Sequence, residues 1–528
     1  MATRRDFLTR VGQAGGFAAA FVTMRELGLM SDGMSASSLT LAPNAGAGVN
    51  VVILGGGIAG LVSAYEMSKA GFRVTVLEAR SRPGGRNWTV RNGTAVEFMD
   101  GTRQVASWEA GSYLNAGPAR LPSIHKTMLG YCRELGVPLE VEVNSSRSAL
   151  QVSEKAFGGR AVEQRQVIND TRGHVSELLA KCVKQHALDE ELSKDDCTRM
   201  LDFLRTYGDL KEDHKYAGSA RAGVSRLPGA GPVTQELRKP LDLHALLEAN
   251  FWRGALFEEG LTMQATMFQP VGGMDRIPFA FAHRLGSVVQ YNAQVEEIRK
   301  TPSGVRVLFE QKGRKKAIEA DYAICALPIT VLKTTPNDFS PRIRQAIAKT
   351  EYADGFKVAW ESKRFWETDF NIYGGISFVA SGPVGLVWYP SAKIFSDTGV
   401  LISGYATEGT SDFAKLGSIE AKLAASRAAV ERLHPGYGRR LTQPIYVNWG
   451  RIAHNEGSWV GRERETNNST ERTTYYDGPY KEFIEPDDRI YFAGDHCARV
   501  GAWQEGAALA AHRTIQMITE RVRLTRTA

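Results

Sequence analysis

The sequence predicts an α/β fold built on a parallel sheet, and the first 30 or so residues after position 49 carry that prediction. Residues 50–54 form an apolar, β-branched run that ends at three consecutive glycines. A helical stretch follows over 58–70, Gly71 is placed to end it, and a second strand-like run covers 73–78. A strand, a helix and a second strand in succession form a βαβ half-unit, whose strands lie parallel.

Glycine is in excess, with 53 of 528 residues, against about 7% in average proteins. The turn after the first strand has the form Gly55-x-Gly57-x-x-Gly60, and Ile58 and Ala59 open the helix. In a dinucleotide-binding fingerprint the first glycine permits a tight turn, the second lets backbone approach a pyrophosphate, and the third lets helix pack on strand. The pattern therefore predicts phosphate binding at the helix N-terminus.

An acidic residue stands where this fingerprint requires one, at the end of the second strand. Glu78 lies about 20 residues beyond the glycines and is followed by Ala79 and Arg80. A carboxylate at this position binds ribose hydroxyls and repels a 2′-phosphate. The pattern therefore disfavours an NADP-type ligand.

Two further motifs favour FAD over NAD as the cofactor. A Gly-Gly-Arg run contains Gly85 and ends at Arg86, and an Ala-Gly-Asp run near the C-terminus contains Gly494 and Asp495. Both resemble FAD motifs of the glutathione-reductase-like flavoproteins. That resemblance implies that the glycines let the chain pass beside an extended FAD, that Arg86 neutralises its phosphates, and that Asp495 touches its ribityl or pyrophosphate part.

The texture of the chain predicts a discontinuous domain organisation. From about 148 to 257 charged residues increase and apolar residues recur at helical spacing, which indicates a helical insertion. Strand-like, aromatic-rich sequence over 356–405 indicates a mixed sheet. We predict a leader and linker over 1–48 and a glutathione-reductase-like FAD-binding Rossmann domain over 49–100, 262–330 and 446–528. A mixed-sheet substrate domain is predicted over 101–147 and 331–445, and a helical domain over 148–261.

Residues 113–122 read Y-L-N-A-G-P-A-R-L-P and contain Ala119 and Arg120. With this segment the chain resembles the flavin amine oxidase family and, within it, the L-amino acid oxidases, from Val49 onward except in the helical insertion. The resemblance implies that Arg120 binds the substrate α-carboxylate and that this segment also lines the cofactor. Arginine suits the role because it is planar, permanently charged and bidentate. The alternatives are that Arg120 binds an FAD phosphate or an internal acid.

Residues 500–507, V-G-A-W-Q-E-G-A, resemble the C-terminal segment of the same family. The resemblance implies that Trp503 is one wall of the substrate site and that the Ala502 carbonyl accepts from the substrate amine. It also implies that the Gln504 N–H supports the negative charge of reduced flavin, aided by the helix dipole. The alternative for Trp503 is an ordinary core residue.

The opposite wall is expected from residues 388–390, W-Y-P, where strand alternation lets only one of the first two side chains point inward. The family resemblance favours Tyr389. It also implies that Lys357 holds a water against flavin N5, where dioxygen arrives; an outward-facing strand lysine is the alternative. Val295 would contact adenine through its backbone, and Trp449 would lie against the dimethylbenzene ring.

The implied reaction is oxidative deamination of an L-amino acid, with Lys357, Arg120 and Trp503 as catalytic residues. Hydride passes from the α-carbon to FAD, the imino acid hydrolyses to a 2-oxo acid and ammonia, and dioxygen is reduced to hydrogen peroxide. Some monoamine oxidases attach FAD through a cysteine, but the matching region 454–459 has none, so the FAD is expected to be non-covalent.

Three other functions stay open at this stage. They are an L-amino acid 2-monooxygenase that forms an amide and CO2, an amine oxidase of another substrate class, and a non-enzymatic FAD-binding protein. The side-chain specificity is also open. Aromatic residues suggest hydrophobic or aromatic substrates, whereas Glu505 or an acid of the helical insertion could recruit a basic side chain.

Composition excludes several other classes of protein. The net charge is +7, but the densest basic run, 313–316, reads as a hairpin tip, and no nucleic-acid-binding pattern accompanies it. The five cysteines contain no CxxC and the ten histidines no HExxH. We therefore expect no nucleic-acid partner, no disulfide scaffold and no metal.

The N-terminus resembles an export signal. Residues 3–8, T-R-R-D-F-L, match the twin-arginine pattern, and the apolar stretch 11–24 is too short to span a bilayer. We predict a periplasmic or secreted protein, or a cytoplasmic one if the segment is only an amphipathic N-terminus. Nothing later in the sequence looks transmembrane, and a homodimer or higher homo-oligomer is expected.

Overall fold

The computed structural model describes residues 39–408, 411–461 and 474–527. The predicted twin-arginine segment lies outside the described residues. The description that follows concerns residues of the unit 42–528.

A parallel sheet of five strands organises the predicted dinucleotide-binding region. The predicted βαβ half-unit is confirmed, with Val52 beside Thr75 in the ladder and the helix Ile58–Lys69 between the two strands. Apolar, β-branched residues suit strands that are covered on both faces. In spatial order the strands are Val289–Gln290, Arg73–Leu77, Asn50–Leu54, Tyr322–Cys325 and Ile490–Phe492.

A mixed sheet of seven strands forms the second large element. All its neighbouring strands are antiparallel except one pair, and its apolar side chains form the largest hydrophobic cluster. In spatial order the strands are Thr442–Asn448, Gly355–Lys363, Thr398–Thr407, Leu386–Tyr389, Gly375–Val379, Leu150–Val152 and Val162–Glu163.

Smaller antiparallel ladders accompany these sheets. One has three strands, and the turn at its tip is formed by Lys312 and Gly313. The basic residues 314–316, which were predicted to lie at the hairpin tip, instead begin the strand Arg314–Ala320. The ladders are Ala293–Lys300 with Val305–Gln311 and Arg314–Ala320; Thr89–Arg91 with Tyr113–Asn115; Ala95–Glu97 with Arg103–Val105; Leu139–Val143 with Thr266–Pro270; Val224–Arg226 with Glu236–Leu237; and Tyr352–Ala353 with Trp459–Val460.

The segment predicted to be helical does not begin with a helix. Leu150–Val152 is fully buried and pairs in parallel with the strand Gly375–Val379, so its apolar residues complete the large sheet. The helical pattern is confirmed further along. The helices of this segment are Gln164–Lys184, Lys194–Gly208, Leu243–Ala249 and Trp252–Ala255.

The remaining helices cover the sheets. The long C-terminal helix follows the last strand of the parallel sheet and packs on Ile58–Lys69. Within the described residues, no helix combines the length and the apolar character needed to cross a membrane. The remaining helices of the described residues are Lys126–Glu134, Arg276–Leu285, Ile329–Leu332, Pro341–Lys349, Phe365–Thr368, Ile419–Leu433, Thr474–Asp477, Pro479–Phe483 and Gln504–Thr527.

Candidate functional site

An elongated cavity of about 580 Å³ begins at the carboxyl ends of the parallel strands and extends to the mixed sheet. Ligands of α/β proteins bind at this edge of the sheet. All but two of the sequence-predicted site residues line it: Gly55, Gly57, Ile58, Ala59, Glu78, Ala79, Arg80, Gly85, Arg86, Ala119, Arg120, Val295, Lys357, Trp449, Gly494, Asp495, Ala502, Trp503 and Gln504. The two exceptions are Gly60 and Tyr389.

The glycines of the first turn leave a passage of bare backbone. Gly55 has φ +101°, and a Cβ on Gly60 would lie 2.0 Å from the Gly55 carbonyl oxygen, so Gly60 serves packing rather than the cavity wall. A Cβ on Gly57 would meet no protein atom within 4 Å, and one on Gly85 would lie 3.7 Å from the Gly57 Cα. The passage between Gly57 and Gly85 therefore fits the phosphates of an extended dinucleotide.

Glu78 is held rigidly at the same end of the cavity. Its carboxylate oxygens accept from the Gly56 N–H at 2.8 Å and the Arg80 N–H at 2.9 Å, and the side chain is buried. Each oxygen keeps a second lone pair. A ribose hydroxyl can therefore donate to a carboxylate that is already fixed in position.

Two motifs from opposite ends of the chain meet beside the passage. Arg86 donates to the Asp495 carboxylate and to the Ser458 carbonyl. Next to Asp495 lies His496, which the sequence analysis missed: its Nε2 is buried, has no hydrogen-bond partner among the described residues, and belongs to a side chain that lines the cavity. Burial lowers the pKa of His496 to about 4, so the ring is neutral.

The N-terminus of the C-terminal helix points into the middle of the cavity. Ala502, just before the helix, has φ +63°, and Asn87 donates to the Gln504 side-chain oxygen, whose Nε2 has no partner in the described part of the chain. Trp503 packs against the ring of His125 at a centroid distance of 4.9 Å and an angle of 81°. This arrangement supplies N–H groups and a partial positive charge to a bound group.

Two basic side chains lie at the far end of the cavity. The buried Arg120 donates to the Asn144 side-chain oxygen, and its guanidinium lies 4.5 Å from the centroid of the Trp388 ring. Lys357 donates to the carbonyls of Asn115 at 2.7 Å and Gly117 at 2.6 Å. Burial, with a smaller effect of the Arg120 charge, lowers the pKa of Lys357 to about 7.

Asn144 and Glu142 support this end, and the sequence analysis missed both. The Asn144 amide donates to the carbonyls of Met263 at 3.1 Å and Gln264 at 3.0 Å, which leaves its oxygen to face Arg120. Glu142 accepts from the Trp388 indole N–H at 3.0 Å. Burial raises the pKa of Glu142 to about 7, although the Arg120 charge opposes the shift.

The prediction that Tyr389 forms the opposite wall is wrong, because Trp388 takes that place. The two are neighbours on one strand, so their side chains leave opposite faces of the sheet. Tyr389 is fully buried in the largest hydrophobic cluster, where its hydroxyl donates to Ser377 at 2.9 Å and lies 2.6 Å from the His434 Nε2. Trp388 lines the cavity together with Tyr405.

Glu505 is not available to recruit a basic substrate side chain. Its two carboxylate oxygens accept from the N–H groups of Thr127 at 3.0 Å and Met128 at 2.8 Å, at the start of the helix Lys126–Glu134. The side chain is buried there and acts as a helix cap.

These features are those of a dinucleotide-binding oxidoreductase, and the comparison with known families agrees. The family of flavin-containing amine oxidoreductases matches residues 58–518. The chain therefore belongs to this family, and the predicted resemblance is confirmed. The family implies a flavin cofactor, and the bare-backbone passage and the unpartnered Gln504 Nε2 fit one.

Individual relatives are similar over most of their length. An L-amino-acid oxidase of Notechis scutatus scutatus is 25% identical over 474 residues, covering 86% of this chain and 83% of the relative. A putative L-amino-acid oxidase of Bacillus subtilis (strain 168) is 26% identical over 493 residues, covering 87% and 92%.

Solved structures share the fold. A putrescine oxidase bound to putrescine has a TM-score of 0.58 at 19% identity, and a cyclohexylamine oxidase from Brevibacterium oxydans IH-35A has 0.59 at 15%. Each covers 90% of this chain and 99% of its own. At these identities the likeness concerns the fold alone.

We expect substitutions of Gly57 and Gly60 to have different effects, one on flavin binding and the other on stability. Gly60→Ala places a methyl group against the Gly55 carbonyl, and it should lower the free energy of unfolding by roughly 1–3 kcal/mol. Gly57→Ala meets only open cavity, so it should leave that free energy nearly unchanged and weaken flavin binding about tenfold or more. Denaturant unfolding of flavin-free protein and fluorescence titration with FAD measure the two quantities. Equal loss of stability in both variants would contradict this assignment.

The buried Lys357 should make stability depend on pH. Its pKa is about 7 in the folded chain and 10.5 in its ordinary state, so between these values the unfolded chain holds a proton that the folded chain lacks. The free energy of unfolding should therefore rise from pH 7 to 10.5 by on the order of 4 kcal/mol relative to Lys357→Met. Denaturant unfolding of flavin-free protein measures it. The control is Lys363→Met, which replaces an exposed lysine of the same strand and should behave as wild type. If the difference in free energy of unfolding between wild type and Lys357→Met did not change with pH, the assignment would be refuted.

Proposed function

We propose that this protein binds FAD non-covalently and oxidises L-amino acids to 2-oxo acids, with release of ammonia and hydrogen peroxide. The observation that carries the proposal is the buried Arg120 guanidinium, which lines the cavity beside Lys357 and has no carboxylate within ion-pair distance among the described residues. A permanent charge that is buried without a counter-ion calls for an anionic ligand. The α-carboxylate of an amino acid is such a ligand.

The same charge disfavours simple amines as substrates. An amine without a carboxylate brings a positive charge to a cavity end that already contains Arg120 and Lys357, whereas Glu142 accepts from the Trp388 indole N–H and is not among the residues that line the cavity. Putrescine oxidase and cyclohexylamine oxidase are similar in fold, but the relatives with about 25% identity are L-amino-acid oxidases. Both considerations favour the amino acid.

FAD, rather than a smaller flavin, accounts for the length of the cavity. The Gly57–Gly85 passage would hold the pyrophosphate, Glu78 the adenosine ribose and Val295 the adenine, while Trp449 and the Gln504 N–H would lie at the isoalloxazine. Cysteine is absent from the described lining, which supports non-covalent binding.

Each residue at the far end has a defined task in this proposal. A bound flavin supplies the two-electron acceptor for the substrate α-carbon. Arg120 holds the carboxylate by two hydrogen bonds and so orients the α-carbon. Trp388, Tyr405 and Trp503 exclude bulk water. Lys357 holds a water and keeps a proton at Nζ below about pH 7, which places positive charge where dioxygen accepts electrons.

The location and organisation of the chain are part of the proposal. Twin-arginine export would carry a folded, flavin-loaded protein to the periplasm or outside the cell. The cavity would lie between a discontinuous FAD domain and a substrate domain. Appearance of the protein in the periplasmic fraction, and its loss when Arg4 and Arg5 are both replaced by lysine, would support export.

Product analysis of the purified, flavin-loaded protein tests the proposal. We expect L-amino acids to bleach the flavin anaerobically and, in air, to give equal amounts of 2-oxo acid, ammonia and hydrogen peroxide, with D-isomers inactive. Amide and CO2 would instead establish a monooxygenase, and a flavin that no L-amino acid bleaches would establish a non-enzymatic role.

Within the same assay, Arg120→Ala should remove the preference for a carboxylate. L-Phenylalanine and 2-phenylethylamine differ only in that group, so their kcat/KM ratio isolates its contribution. Loss of a buried charge-assisted fork should lower kcat/KM for the amino acid by roughly 100-fold or more and change that for the amine little. Arg120→Lys keeps the charge without the fork and should fall between. An unchanged ratio in Arg120→Ala would indicate an amine oxidase of another class.

Asn144 should set the affinity for the carboxylate through Arg120. In Asn144→Asp an internal carboxylate neutralises the guanidinium and competes with the substrate, whereas Asn144→Ala only removes one support. We expect KM for L-amino acids to rise about tenfold or more in the aspartate variant and less in the alanine variant, with smaller changes in kcat. Steady-state kinetics at pH 8 measure both constants, and a KM in Asn144→Asp at or below that of Asn144→Ala would contradict the role.

A further inference from the structure

His125 is a completely buried side chain to which the proposed reaction gives no task. Neither of its ring nitrogens has a hydrogen-bond partner among the described residues. Burial lowers the pKa of His125 to about 4, so the ring is neutral and has one N–H group and one lone pair. Unpaired buried groups of this kind destabilise a protein, and an apolar side chain of similar size avoids that cost. Stability alone therefore does not explain a histidine at this position.

The ring of His125 contacts Trp503, which lines the cavity. The two ring centroids are 4.9 Å apart and the planes meet at 81°, so the edge of one ring lies against the face of the other. The face of an indole carries negative charge and accepts an N–H group. No nitrogen or oxygen in the described part of the chain accepts from His125. The Trp503 ring is therefore the acceptor that the structure offers to the His125 N–H.

The segment 120–128 contains both His125 and Arg120. The last two backbone N–H groups of this segment donate to the Glu505 carboxylate, at 3.0 and 2.8 Å. Glu505 follows Trp503 closely in the chain, at the start of the C-terminal helix. The segment therefore carries the cavity guanidinium at one end and is bound at the other end to the turn that bears Trp503.

We propose that His125 is a positioning residue, whose N–H group donates to the Trp503 ring and fixes that ring relative to the Arg120 guanidinium. The inference rests on the proposed function, in which Arg120 holds the substrate carboxylate and Trp503 is a wall of the substrate site. With both groups fixed, a bound amino acid is held in one orientation. A Trp503 ring that is free to turn would still allow binding but would orient the amino acid less well, and poor orientation lowers the rate.

Anaerobic stopped-flow reduction of the flavin-loaded protein by L-phenylalanine tests this role. We expect His125→Leu to slow flavin reduction at saturating amino acid by about tenfold or more, because orientation is lost, and to change the dissociation constant of the amino acid by less than about threefold. His125→Gln keeps an N–H donor and should retain more of the rate. A rate in His125→Leu equal to that of wild type would overturn the proposal.

Thermal stability distinguishes this role from a structural one. His125→Leu removes unpaired polar atoms, so its melting temperature should equal or exceed that of wild type. The matched control is His434→Leu, because His434 is also completely buried but contacts the Tyr389 hydroxyl and is not among the residues that line the cavity. This control should lower the melting temperature and leave the rate of flavin reduction unchanged. A His125→Leu variant that is both slow and less stable than wild type would indicate a structural role and overturn the proposal.

A double-mutant cycle on flavin-free protein tests the contact itself. Denaturant unfolding compares wild type, His125→Leu, Trp503→Leu and the double variant. Side chains in contact have effects on the free energy of unfolding that do not add, whereas independent sites have additive effects. Non-additive effects would support the contact, and additive effects would overturn it. The cycle needs no substrate, so it tests the contact even if no L-amino acid reduces the flavin, a result that would refute the proposed function instead.

Discussion

Positive charge held out of water is the constraint on which the far end of the cavity depends. Arg120 and Lys357 are both nearly fully buried, and isolated buried charges cost several kcal/mol each. The two residues respond differently. Lys357 avoids part of the desolvation cost because its pKa falls to about 7. Its amino group also donates hydrogen bonds to two carbonyl oxygens. Arginine cannot lose its proton, so its surroundings must accommodate the charge, and an anionic ligand would relieve it further.

The parallel sheet places the passage between Gly57 and Gly85 at the same edge as the N-terminus of the C-terminal helix. The N-terminal strand Asn50–Leu54 lies next to Tyr322–Cys325, which lies next to Ile490–Phe492. The first glycine turn and the C-terminal helix therefore open onto the same sheet edge although more than 400 residues separate them in the chain. The mixed sheet then closes the far side with Trp388 and Tyr405. The cavity is thus a product of topology, with glycine supplying clearance only where backbone must approach a ligand.

Sequence patterns were sufficient where a residue's role is set by local geometry. The βαβ unit and the glycine turn follow from motifs whose spacing is fixed by strand and helix dimensions. Arg86 and Asp495 lie 409 residues apart, and only the resemblance of their motifs to those of known flavoproteins linked both to one cofactor. The prediction for Tyr389 was wrong because strand alternation shows only that neighbouring side chains point to opposite faces. Which side chain takes which face depends on which one the hydrophobic core can bury. No motif marks Asn144 or His496. Asn144 matters because folding brings it to Arg120, and His496 matters because folding places it in the cavity wall.

The placement of acids around Arg120 explains how the cavity keeps a usable positive charge. Arg120 opposes the effect of burial on the Glu142 pKa, yet the two side chains contact different parts of Trp388: Glu142 accepts from the indole N–H, and the Arg120 guanidinium lies 4.5 Å from the ring centroid. The carboxyl thereby polarises the indole, whose face attracts the guanidinium, without forming an ion pair with it. Direct contact falls to the neutral amide of Asn144, which is oriented by two carbonyls. An arginine positioned by an amide and an aromatic ring keeps its full charge for a ligand, whereas one positioned by a carboxylate would already be satisfied.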